Sequence, residues 1–173
     1  GVEVCDDGLD NDCDGESGDC APSGEMTLAA DATGLTSALS SAYSGRHIAV
    51  GDVDGDGYSD FITGSGARGA AYIQRGPVTA PGSLAGADVI LEDATQFGYA
   101  VGMGDVDGDG YADAMITDVF EDAYGEYTSE VWLVAGPLSG TYSISDVYQA
   151  DILGAEERHY LGYALGQSPD SDG

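Results

Sequence analysis

With 173 residues the chain can build one domain with a hydrophobic core, alone or with a small appendage. Apolar residues at 42% and aromatics at 9% exclude a disordered chain. Against 32 acidic residues stand four basic ones, all Arg, for a net charge of −28. Such a surface repels phosphates, which excludes nucleic acid and anionic lipid headgroups as partners. The excess acid serves solubility in salty surroundings, a reservoir for divalent cations, or both. No apolar run approaches the roughly 18–20 residues of a membrane span, so no membrane insertion is expected. A signal peptide is expected to have been removed or left out ahead of Gly1.

Residues 1–23 form a segment of their own, too short and polar for a core and in need of a disulfide and metal to hold it. Cys5, Cys13 and Cys20 permit one disulfide in three pairings. Cys5–Cys13 is the pairing expected, leaving Cys20 for another chain or a cysteine elsewhere. Asp10, Asp12 and Asp14 alternate as ligands of a hard cation do, with Gly15 at the turn, and Glu16 and Asp19 extend the candidate set. Zinc is the weaker alternative, since no histidine and no C-x-x-C spacing lies nearby. Cys5–Gly15 resembles the Cys/Asp-rich metal-binding motif of large secreted and surface proteins of bacteria, although Asp7 is an extra residue relative to that pattern. The resemblance implies a segment that links or decorates domains.

Residues 21–24 read as a linker, and Met26–Ala29 as a strand. The stretch 33–44 is small and polar, a loop or short helix. The lone Asn11 is not in an N-x-[ST] context, which excludes N-glycosylation.

From residue 45 the chain repeats itself. Asp52-Val-Asp-Gly-Asp-Gly-Tyr-Ser-Asp60 returns as Asp105-Val-Asp-Gly-Asp-Gly-Tyr-Ala-Asp113, differing only at Ser59 and Ala112. Carboxylates at loop positions 1, 3, 5 and 9 turn inward on one cation, and the Tyr58 and Tyr111 carbonyls add a ligand at position 7. Gly57 and Gly110 permit the sharp turn. Several oxygen ligands in a flexible loop are calcium chemistry. The EF-hand is excluded: its position-12 Glu is replaced by Thr63 and Ile116, and no helix follows. Short apolar runs leave the loops instead, at Phe61–Gly64 and Ala114–Ile116, and read as buried strands.

Each loop sits in a unit of four strands. Ile48–Val50 leads into the first loop, Phe61–Gly64 leaves it, Ala70–Gln74 follows and ends at Gly76-Pro77, and Asp88–Leu91 completes the unit. The second unit runs through residues 98–104, Ala114–Ile116, 130–135 with Gly136-Pro137, and Asp151–Leu153. Extra residues around 121–128 read as an acidic hairpin tip. A third unit starts at Leu161-Gly162-Tyr163-Ala164, and Asp170 and Asp172 begin another loop. Four strands per unit at this period are the pattern of a propeller blade. The expected fold is all-β, with four-stranded antiparallel β-propeller blades at about 45–91 and 98–153 and a partial third from about 160, within a region 24–173.

Phe97-Gly98, a strand, Gly104-Asp-Val-Asp-Gly-Asp-Gly-Tyr-Ala-Asp113, a strand and Gly136-Pro137 resemble the FG-GAP repeat of integrin-α-type β-propellers. The resemblance covers roughly residues 45–173. It implies calcium held by Asp52, Asp54, Asp56, the Tyr58 carbonyl and Asp60, and by Asp105, Asp107, Asp109, the Tyr111 carbonyl and Asp113. Propellers of that family close with about seven blades, and this chain has too few for a ring. It is therefore a piece of a longer protein, or copies of itself cover the open ends head-to-tail, which builds a filament where the rotation does not close.

Calcium sites of extracellular modules bind at ~10⁻⁴–10⁻³ M, so such loops fill outside the cell, and an extracellular location is expected. No nucleophile elbow, H-E-x-x-H or P-loop occurs, and no catalytic residues are expected. His47 and His159 stand at non-equivalent points of the repeat and read as strand-edge residues. Adhesion through a metal-dependent surface is what the family resemblance implies. Trp132 and the tyrosines stand at strand positions and read as core ahead of a sugar platform, so a face that binds carbohydrate or a protein ligand is the alternative, with a hydrolase behind it because the carboxylates at good spacing are committed to calcium.

Overall fold

The structure is a computed structural model and describes residues 35–37, 43–78, 80, 82–93, 97–121, 127–154, 161–162 and 165. The Cys/Asp-rich segment with Asp10, Asp12, Asp14, Glu16 and Asp19, the strand expected at Met26–Ala29, His159, Asp170 and Asp172 all lie outside the described residues.

Two apolar-rich runs flank each glycine-studded loop, and each pair folds back into a hairpin. In the first unit β2 (Ile48–Gly51) pairs antiparallel with β3 (Asp60–Ser65), then β4 (Ala70–Gln74), then β6 (Val89–Glu92). In the second, β7 (Val101–Gly104) pairs with β8 (Asp113–Glu121), β9 (Tyr127–Val134) and β11 (Ala150–Leu153), again antiparallel throughout. The fold is all-β, and a one-turn helix, α1 (Ile144–Val147), is an adornment between strands.

The expectation of four-stranded sheets needs one correction. The first sheet has five strands, because β10 (Gly140–Ser143) leaves the second unit and adds in parallel to β6, giving the order β10-β6-β4-β3-β2. The same device recurs in miniature, where β5 (Gly82–Ser83) pairs in parallel with β1 (Leu35–Thr36). In both cases the segment between the third and fourth strands of a unit reaches sideways. Backbone hydrogen bonds thereby tie the second unit to the first.

Alternation along the strands decides which side chains face inward. Ile62, Ile73 and Val89 stand in register on the first sheet, and Met103, Ala114 and Val134 on the second. All six are fully buried, and they join Val53, Leu91, Phe97, Val101 and Ile116 in one hydrophobic cluster spanning both units. Trp132, a candidate sugar platform by residue type, packs against this cluster, with Tyr148 edge-on at 4.8 Å. Ile62→Val is expected to cost about 1 kcal/mol, the usual effect of one methyl group removed from a tight core, read as a lower urea midpoint.

The two units approach so closely that glycine is required at the contact. A Cβ on Gly64 would lie 1.9 Å from the Gly98 carbonyl oxygen, and one on Gly51 would lie 2.7 Å from Ala112 Cβ. The loop after β2 is thus held against the exit of the loop after β7, where the Ala112 N–H donates to the Asp52 carbonyl at 2.7 Å.

Candidate metal centres

Both Asp-rich loops are folded by their own carboxylates. Asp52 Oδ1 accepts from the N–H groups of Gly55 at 2.7 Å and Asp56 at 3.2 Å, and its Oδ2 from Gly57 at 2.9 Å. Asp54 accepts from Asp56 N–H, and Asp56 from Tyr58 N–H. The second loop repeats each bond: Asp105 accepts from Gly108, Asp109 and Gly110, Asp107 from Asp109, and Asp109 from Tyr111. The bend that makes this reachable runs through Gly57 and Gly110, with φ of 85° and 90°, a region costly for any residue bearing a Cβ.

The result is two triads. One carboxylate oxygen from each of Asp52, Asp54 and Asp56 lies within 4.8 Å of the other two, and the same holds for Asp105, Asp107 and Asp109. Calcium sits at 2.3–2.6 Å from each oxygen, so two ligands on opposite sides of one ion stand roughly 5 Å apart. The triads match that span, and their all-oxygen donor set suits a hard cation over zinc or copper. The residues present therefore fit calcium. Tyr58 is exposed, while the Tyr111 ring lies against Gly55 of the first loop.

Asp60 and Asp113, the fourth carboxylates of the sequence pattern, stand outside the triads and are buried. Asp60 Oδ2 accepts from Val53 N–H and its Oδ1 from Gly76 N–H, both at 2.8 Å. Asp113 does the same with Val106 at 2.7 Å and Gly136 at 3.1 Å. Each carboxylate thus fastens the start of its loop to the Gly-Pro turn after the third strand, where both Gly-Pro bonds are cis. Burial pushes the Asp60 carboxyl above the usual range, opposed by the two N–H donors, while Asp54 and Asp56 add to the rise.

Sequence reasoning missed one member of the first site. Arg75 Nε lies 3.1 Å from Asp54 Oδ2, and its other end donates from Nη2 to the Leu138 carbonyl at 2.6 Å. It follows the third strand, well away from the loop in sequence, and no motif marks it. His47, by contrast, lies where a strand-edge residue is expected: its carbonyl accepts from the Thr63 hydroxyl, and Arg46 sits over the Tyr99 ring.

A separate acidic group occupies the outer part of the second sheet. Asp118 and Glu130 are register partners, and Asp151 lies two residues from Glu130's partner Leu153 on the next strand. Burial, a hydrogen bond to Asp151, and the charges of Asp151, Asp118 and Asp93 push the Glu130 carboxyl up to about 7. The sign follows by linkage. Below the ordinary glutamate range both folded and unfolded chains hold this proton. Between about 4.5 and 7 only the folded chain binds it, so stability falls as pH rises through that window. Glu130→Gln is expected to flatten this slope. Urea midpoints at pH 5 and pH 8 test it: the variant should lose less than the parent between the two.

Residues 52–116 match the family model described as the FG-GAP-like repeat. Among curated proteins none matches the chain.

Proposed function

We propose, from the FG-GAP-like repeat that this chain carries over residues 52–116, that the protein is a calcium-dependent structural module whose Asp loops are metal-set joints between β-propeller blades. The observation that carries this reading is the duplicated triad. Asp52, Asp54 and Asp56, and again Asp105, Asp107 and Asp109, are brought to calcium-sized spacing by the same hydrogen bonds. Calcium would supply the positive charge that lets three carboxylates share one small volume. The chain's own residues shape the loop, fasten it through Asp60 and Asp113, and hold it against the neighbouring unit.

We read the location as extracellular, where millimolar calcium fills loops of this class. The role is structural or adhesive, because the feature that both units repeat is a metal-sized triad. The outer strand β11 exposes Ile152 and Leu153, and its second edge pairs with no strand among the described residues. That edge supports a further unit or a second copy as the neighbour.

Calorimetric titration with calcium tests the function. Asp52→Asn is expected to remove one binding step and Asp105→Asn another, with magnesium far weaker at both. A parent protein that takes up no calcium would end this reading.

A further inference from the structure

The two loops are alike in sequence and internal bonding, but their surroundings differ in one charge. Arg75 directly precedes Gly76-Pro77, and its N–H donates to Asp88 Oδ2 at 2.9 Å. Ala135 directly precedes Gly136-Pro137, and its N–H donates to Gln149 Oε1 at 2.6 Å. The residues before them, Gln74 and Val134, pair with the equivalent residues Phe61 and Ala114. The two positions are therefore the same place in the two units, with a guanidinium in one and a methyl group in the other.

We propose that Arg75 is an in-built counter-cation that competes with calcium for Asp54 and makes the first loop the weaker of two unequal sites. This rests on the calcium reading above. Asp54 is one of the three carboxylates of the first triad, and Arg75 Nε stands 3.1 Å from its Oδ2. The Nε–H is buried and makes no aligned hydrogen bond, so the pairing is one of charge. The guanidinium does not swing free to make way for a metal, because the Leu138 carbonyl holds its far end. The two side chains are 31% and 18% exposed, which leaves limited solvent screening between them.

The remainder of the loop's environment points the same way. Asp52 and Asp54 are half-buried, whereas Asp105, Asp107 and Asp109 are all exposed. A Cβ on Gly55 would meet the Tyr111 ring at 2.7 Å, while nothing lies within 4 Å of the same point on Gly108 among the described residues. The first loop is partly covered at Asp52 and Asp54 and partly neutralised by the protein's own cation. The second is open and carries its full negative charge.

A unit positive charge on the order of 5 Å from a divalent ion lowers affinity roughly tenfold, even at water-like screening. Calcium titration of the intact chain at low ionic strength is therefore expected to give a tight step that Asp105→Asn removes and a weaker step that Asp52→Asn removes. Arg75→Gln should tighten the weaker step by about five- to tenfold and leave the tight step in place. Ala135→Arg should weaken the tight step by a similar factor, and it carries the test should Arg75→Gln fail to fold. Equal affinities in the parent, or a first loop that weakens in Arg75→Gln, would overturn the role of Arg75 while leaving calcium binding intact. Absence of calcium uptake in the parent and every variant would overturn the calcium reading and this inference together.

Discussion

Stripping calcium with EDTA is expected to lower the melting temperature by about 10–20 °C, the product of the per-site linkage and the thermal sensitivity of a chain this size. Two carboxylates at ~4 Å repel by roughly 4 kcal/mol at an effective dielectric near 20, and each triad contains three such pairs. Loop N–H groups offset part of this, since every Asp of the triads accepts at least one. They are dipoles, however, and do not cancel the net charge. A site at a hundredfold excess of calcium over its Kd adds about 2.7 kcal/mol, so two sites add about 5 kcal/mol. That rivals the lower end of the ~5–15 kcal/mol that holds a domain together. Magnesium, smaller and reluctant to shed water, should restore little of the loss. A melt indifferent to EDTA would mean that the loop N–H network alone carries the charge.

The second large effect belongs to the carboxylates outside the triads. Asp60→Ala and Asp113→Ala are each expected to cost about 3–5 kcal/mol. Either change removes two charge-assisted hydrogen bonds and leaves N–H groups without that acceptor, those of buried Val53 and part-buried Gly76 or the part-buried pair of Val106 and Gly136. Asp60→Asn keeps one good acceptor and should lose about half as much. The comparison belongs in EDTA, where lost calcium cannot contribute to the difference. An Asp60→Ala chain with an unchanged urea midpoint there would deny the carboxylate any fastening role.

Much of this arrangement is legible in the amino-acid sequence, and the reasons are local. The strands around each loop are runs such as Phe61–Gly64 and Ala70–Gln74, whose apolar content and glycine boundaries are strand signals wherever they stand. The triads are legible because ligands at positions 1, 3 and 5 need only one bend, and the glycines supply it. The structural features missing from that reading depend on partners distant in the chain. β10 is the exposed run Gly140-Thr-Tyr-Ser143, with no apolar alternation, and only the edge of β6 makes it a strand. Arg75 reaches Asp54 and Leu138 through tertiary packing, and a single arginine before a Gly-Pro turn announces nothing. The raised Glu130 likewise depends on strand register, which brings Asp118 and Asp151 beside it. Asp60 lies between the two cases. Its spacing identifies it as part of the loop, while its grip on Gly76 emerges only when β3 and β4 are paired.

The most direct test is crystallographic. Crystals grown in millimolar calcium should carry an anomalous scatterer in each loop, 2.3–2.6 Å from oxygens of Asp52, Asp54 and Asp56 and of Asp105, Asp107 and Asp109. Loops that hold only water under those conditions, with their carboxylates turned out to solvent, would contradict the account.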